Sequence, residues 1–191
     1  MSTFKLGNIA DTCAVWNVLS SARLFAAACR LHCEFAVTQV VLYECLQKPR
    51  TRPHAHDDEM KERLRRQRES GRFPTVTLDL QDVQEVARLE ARRRLGRGEL
   101  ASIAFAKRAG TAFCSDDRNA QKLGEEALGR HGVQTTPHLL GWLVFVGALV
   151  DADVVEVFAE HEAVGGPLRP HLGAAYEEGL RCRLLARAQS P

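Results

Sequence analysis

Short apolar runs alternate along the chain with longer stretches whose apolar residues recur at helical spacing. Leu6 to Ala10 reads as a strand that stops at Asp11, and Trp16 to Leu31, rich in Ala and Leu, as a helix. Phe35 to Val37 is a second short strand. Thr38 is placed to cap a helix carrying Val40, Val41, Leu42 and Glu44. Pro49 and Pro53 interrupt the pattern, and a polar, basic helix follows over Asp57 to Glu69. Thr75 to Leu78 reads as a strand or extended segment, Asp82 to Leu95 and Gly98 to Ala109 as helices, and Thr111 to Cys114 as a strand. A helix from Arg118 to Leu128, a short strand at Val133-Gln134 and a helix after Pro137 complete the alternation. Beyond Gly165-Gly166-Pro167 the chain reads as a loop and a terminal helix over Leu172 to Ala188.

Strands separated by helices predict an α/β fold with a parallel-stranded central sheet flanked by helices on both faces. Ligands in such sheets bind beyond the carboxyl ends of the strands. Asp11 and the Asp116-Asp117 pair fall at that edge. Glu44 and Glu99 are expected in the first turns of the helices that follow, where they can face the same crevice.

The total of 191 residues suits one domain with a small appendage, and a hydrophobic fraction of 45% provides for a real core. The expected division is a domain over 1–160, with a basic insertion at about 47–74, and a C-terminal loop and helix over 161–191. Six cysteines are scattered through apolar segments without a CxxC, which speaks against zinc knuckles and thioredoxin-like chemistry and for buried thiols in a reducing compartment. Met1 to Leu6 leads straight into a strand without a signal-peptide pattern. The longest apolar stretch, Leu139 to Val150, reads as a buried helix too short to span a bilayer. The expectation is a cytoplasmic protein with no membrane contact.

Net charge is only +2, but it is unevenly spread. Nine basic residues lie between Lys48 and Arg72 against five acids, and Arg92, Arg93, Arg94 and Arg97 lead up to Glu99. Basic flanks around an acidic centre suit a phosphodiester substrate. The plainer alternative for Glu59 to Glu69 is a solvated helix laced by i,i+4 pairs. The acids themselves pose a charge problem: carboxylates beside core residues lose hydration and repel one another, so gathering them calls for a divalent cation. Each also has a modest explanation alone. Asp117 or Ser115 could cap the helix at Arg118, and Glu99 could complement a helix dipole.

Other chemistries fit less well. His54-Ala55-His56-Asp57 lacks further ligands for a metal clip, and no GxGxxG, Walker loop or Gly-x-Ser-x-Gly elbow occurs. Asp11-Thr12-Cys13 lacks the second Asp of a haloacid-dehalogenase-type phosphatase.

In order, Asp11-Thr12, Glu44, Gly98-Glu99 running into Ile103-Ala104-Phe105-Ala106, and Ser115-Asp116-Asp117-Arg118-Asn119-Ala120 resemble the PIN domain over roughly residues 6 to 150, most closely its VapC-type toxin ribonucleases. The resemblance implies a three-layer α/β/α fold and a Mg2+- or Mn2+-dependent endoribonuclease, a hydrolase, with Asp11, Glu44, Glu99 and Asp117 as catalytic acids. Asp11 and Asp117 are the expected direct metal ligands, Glu99 and Asp116 further candidates, and Glu44 and Glu99 would act through bound water. Thr12, Ser115, Arg97, Arg118 and Lys122 are expected at the substrate. A toxin role would bring an antitoxin protein that blocks the groove, and homodimerisation. The alternatives are a housekeeping RNA-processing nuclease, or a PIN-fold protein that binds RNA or a partner with little cleavage. Two departures from the family pattern stand out: Cys13 where Ser or Asn is common, and the long basic segment from Gln47 to Pro74.

Overall fold

A computed structural model describes residues 3–49 and 55–189; His54 of the candidate clip, with Arg50, Arg52 and Pro53, lies outside them. Five strands, β1 (Gly7–Ala10), β2 (Glu34–Thr38), β3 (Thr75–Val76), β4 (Ala112–Cys114) and β5 (Val133–Gln134), form one sheet in the order β3-β2-β1-β4-β5. Every pairing is parallel, with Ile9 opposite Ala36 on one side and Phe113 on the other. The central strand therefore ends, at Ala10, in the middle of the sheet's carboxyl edge. The order reverses direction around β1, and such switch points leave a crevice.

Among the described residues ten α-helices surround the sheet: α1 (Thr12–Leu19), α2 (Ala22–Arg30), α3 (Gln39–Leu46), α4 (Asp57–Glu69), α5 (Leu80–Arg92), α6 (Arg97–Ala109), α7 (Arg118–Leu128), α8 (Thr136–Phe145), α9 (Asp151–Ala163) and α10 (Arg169–Ala188). Alternation along the strands divides the core. Ile9 and Phe113 point to one face, with Leu100, Ile103 and Leu123 of α6 and α7. Ala10, Cys114, Phe35 and Val37 point to the other, with residues of α1–α4 and α8–α10. The layers are α/β/α, as the strand–helix alternation requires.

Local chemistry sets the element boundaries. Asp11, Ser21, Thr38, Asp79, Asp117 and Thr135 each cap a helix by accepting a backbone N–H with the side chain. The helix expected over Trp16 to Leu31 is in fact two helices bent by 98° at Ser20-Ser21. Ser21 caps α2 through Leu24 N–H, while Ser20 Oγ donates to Asn17 C=O at 2.6 Å, closing α1. Two serines inside an Ala-rich run were the break signal. The apolar stretch Leu139 to Val150 also divides: α8 ends at Phe145, Gly147 takes φ +79°, and α9 begins at Asp151. That helix is absent from the expectations above, although Val154, Val157 and His161 mark its buried face.

α10 lies directly on α8. A Cβ added at Gly179 would run into the Gly141 carbonyl oxygen, so this close approach needs glycine at 179. No single helix among the described residues is long and apolar enough to cross a membrane.

Candidate functional site

Asp11 leaves β1 and at once caps α1, which fixes its carboxylate under the sheet edge. Oδ1 accepts from Ala14 N–H at 2.8 Å and from the Cys13 thiol at 3.0 Å. Oδ2 is buried and meets no donor at hydrogen-bond geometry, in a residue only 1% exposed. Burial therefore dominates its proton affinity: loss of hydration pushes the Asp11 pKa up from 3.8 to about 7, against the pull of Cys13, Ser115 and Ala14 donors, and the nearby Asp116 charge adds to the rise. Burial and the Asp11 charge likewise hold the Cys13 thiol firmly protonated.

The other acids ring the same edge. Glu44 stands in the second turn of α3, not the first as expected, and accepts from Thr12 Oγ1 at 2.8 Å, with Lys48 Nζ at 3.4 Å. Its carboxylate rests against Gly98, where a Cβ would overlap it. Glu99, in the first turn of α6, accepts from Gly96 N–H at 2.7 Å. Burial raises its pKa, and the charges of Asp117 and Glu44 raise it further, so these three carboxylates feel one another. Asp117 uses Oδ1 to cap α7 through Asn119 and Ala120 N–H, at 2.8 and 2.9 Å. Its modest role as a cap is thus real, and its second oxygen remains for other work.

Asp116 behaves differently. Oδ1 accepts from Thr136 N–H at 2.9 Å, and Oδ2 from Thr136 Oγ1 at 2.6 Å and Asn17 Nδ2 at 2.9 Å. It ties β4 to α8 and α1 with both oxygens engaged. Burial raises its pKa, which the Thr136 and Asn17 donors and the nearby His171 counter. Ser115 is fully buried and accepts from Asp117 N–H at 3.2 Å, so it positions the carboxylates from behind. Thr12 does the same for Glu44.

Arg97, Arg118 and Lys122 stand exposed, with no ion pair among the described residues. Much of the basic segment is otherwise employed. Arg63 donates to the Leu19 and Ser20 carbonyls at the end of α1 and pairs with Glu59, Arg66 pairs with Glu62, and Arg68 reaches Phe73 C=O and Thr75 Oγ1. The i,i+4 lacing of α4 is therefore present.

Cys13, Asn17 and Thr136 were not among the expected site residues, yet they hold Asp11 and Asp116 in place. Cys13 stood out only as a departure from the family pattern, yet its thiol makes a hydrogen bond to Asp11, and Asn17 carried a local signal as an amide within the apolar run Thr12–Leu19. Among the described residues, no three His, Cys, Asp or Glu side chains stand grouped ready for a metal ion. All five acids spend at least one oxygen on a neighbouring donor, and the buried Oδ2 of Asp11 is left as an atom that could hold a cation. Comparison of the chain with protein-family models, with characterised proteins and with solved structures finds no match.

Proposed function

We propose that this chain is a PIN-type, Mg2+- or Mn2+-dependent endoribonuclease, with the toxin of a toxin–antitoxin pair as the leading biological role. The observation that carries the reading is Asp11: a carboxylate buried at the end of the central strand, with one oxygen that meets no donor at hydrogen-bond geometry. Leaving such a group unpaired in a core is costly, and a hard cation is the natural partner for an oxygen ligand. Asp11 Oδ2 and the second oxygen of Asp117 would hold the ion directly, with Glu44 and Glu99 reaching it through water. When bound, the cation supplies positive charge at the scissile phosphate and acidifies the attacking water.

The chain's own residues do the rest. Thr12 and Lys48 hold Glu44 toward the cleft, and Gly98 gives that carboxylate room. Ser115 and Cys13 fix Asp11 and Asp117 from the buried side. Arg97, Arg118 and Lys122 lie free to meet the phosphates of a bound strand. The purified protein should cleave single-stranded or structured RNA with Mn2+ and not with EDTA, and Asp11→Asn should abolish cleavage while leaving RNA binding intact. Absence of metal-stimulated cleavage across a broad RNA panel would refute the reading and leave the RNA- or partner-binding role.

A further inference from the structure

A groove of about 550 Å3 opens between α2 and the C-terminal half of α4. Its wall on α2 is Ala22, Phe25, Ala26 and Cys29, whose helical spacing puts them on one face. Opposite stand Arg63 and Arg66 of α4, and Arg72 just past the helix end. Leu19 closes the groove at the last residue of α1, the end away from Asp11. None of the five acids of the sheet edge lines it.

The charges on its rim do not cancel. Arg63 pairs with Glu59 and is anchored on the Leu19 and Ser20 carbonyls, so it belongs to the frame. Arg66 has to share Glu62 with Arg65. Arg72 is left over: its exposed guanidinium has no hydrogen bond or ion pair among the described residues. It stands at the Cys29 end, where burial raises the thiol pKa and the Arg72 charge lowers it. Among the described residues no Asp or Glu lines the groove. Its volume lies within the roughly 300–1,000 Å3 of small-molecule sites. An apolar wall that ends at one unanswered guanidinium selects an apolar body with a single anionic head. From Cys29 back to Ala22 the wall runs about 10 Å, at 1.5 Å per helical residue, which suits a medium alkyl chain.

We propose that this groove binds a small amphipathic monoanion of the alkyl carboxylate type, with its head at Arg72 and its chain along Ala26, Phe25 and Ala22. The site is separate from the carboxylates and independent of the nuclease reading. It gives the end of the basic segment a ligand, where the pairs along α4 explain only the helix itself.

The test follows backbone amide shifts by NMR while octanoate, hexanoate, octanol or octyl sulfate is added to the full chain below micelle concentrations. Octanoate should saturate one site, with shifts confined to α2 and to the stretch from Arg63 to Arg72. It should bind about fivefold more tightly than octanol, the scale of an exposed ion pair. Hexanoate should bind about tenfold more weakly than octanoate, since each methylene withdrawn from water is worth about fourfold. Arg72→Gln should erase the advantage of octanoate over octanol and leave octanol binding as it was. Octyl sulfate matching octanoate would assign the site to monoanions at large, and weaker sulfate binding would assign it to carboxylates. Octanol equal to octanoate, shifts spread across the whole chain, or no saturation by any amphiphile would overturn the proposal, whether or not the variant folds. An undiminished preference for octanoate in folded Arg72→Gln would overturn it too.

Discussion

Replacing Asp11 with Asn should change how stability depends on pH in a way that only a buried, unpaired carboxylate can produce. The folded state holds the Asp11 proton up to about pH 7, whereas the ordinary value is 3.8. Between those two values the native protein binds more protons than the unfolded chain, so its stability falls as pH rises and levels off above 7. At about 1.36 kcal/mol per pKa unit, the full effect is about 4 kcal/mol, of which about 3 kcal/mol develops between pH 5 and 8. Asparagine keeps the acceptor for Ala14 N–H but does not ionise. Urea or thermal unfolding of the metal-free proteins should therefore show Asp11→Asn gaining about 3 kcal/mol on the wild type across that interval. For a chain of this size that corresponds to roughly 6–12 °C in Tm. Mn2+ at a hundredfold excess over its Kd should restore about 2.7 kcal/mol to the wild type at pH 8 and nothing to the variant. Parallel pH profiles would refute the burial argument. Equal stabilisation of both proteins by Mn2+ would remove Asp11 from the metal.

Other substitutions probe the frame around that carboxylate. Gly98→Ala should disrupt the position of Glu44, because the added Cβ overlaps its carboxylate and comes within 3.2 Å of Val41. We expect at least a tenfold fall in kcat with circular dichroism unchanged; wild-type turnover would show that Glu44 can move without cost. Arg108 forks onto the buried Asp82 at 2.8 and 2.9 Å, and this bond holds the Asp82 pKa below its ordinary range. Arg108→Ala should destabilise the fold at neutral pH, because it leaves the buried Asp82 carboxylate without its charged donor. Because Asp82 binds its proton less readily folded than unfolded, that contribution is present above about pH 4 and fades as pH falls through the lowered pKa. Urea unfolding at pH 7 and at pH 3 separates the two: a loss of equal size at both would contradict the ion pair.

Much of the architecture was legible because its signals are local. Strands end at Ala10 and Cys114, many helices begin at side-chain caps, and the run Asp57 to Glu69 is recovered residue for residue. The reading failed where composition outweighed punctuation, as at the Ser20-Ser21 corner inside an Ala-rich run, and where a short apolar face was diluted by charge, as in α9. The acids themselves were recognisable from position and neighbours. What holds them was not, since Asn17 and Asp116 are 99 residues apart in the chain, and Thr136 lies 20 beyond Asp116. No window of sequence contains those contacts. They exist only once parallel strands bring α1, β4 and α8 to one edge.

The buried histidine of α9 has a consequence for anyone shortening the chain. His161 bonds Ser20 Oγ through Nδ1 at 2.7 Å and accepts Leu168 N–H on Nε2 at 2.9 Å, with its ring pressed against Gly166. Ser20 in turn holds the last turn of α1, the helix whose first turn is capped by Asp11. A stop codon placed at 161 would do more than trim a tail. It would remove the strut behind that helix and strip α8 of its cover, loosening the carboxylate-bearing edge from the far end of the molecule.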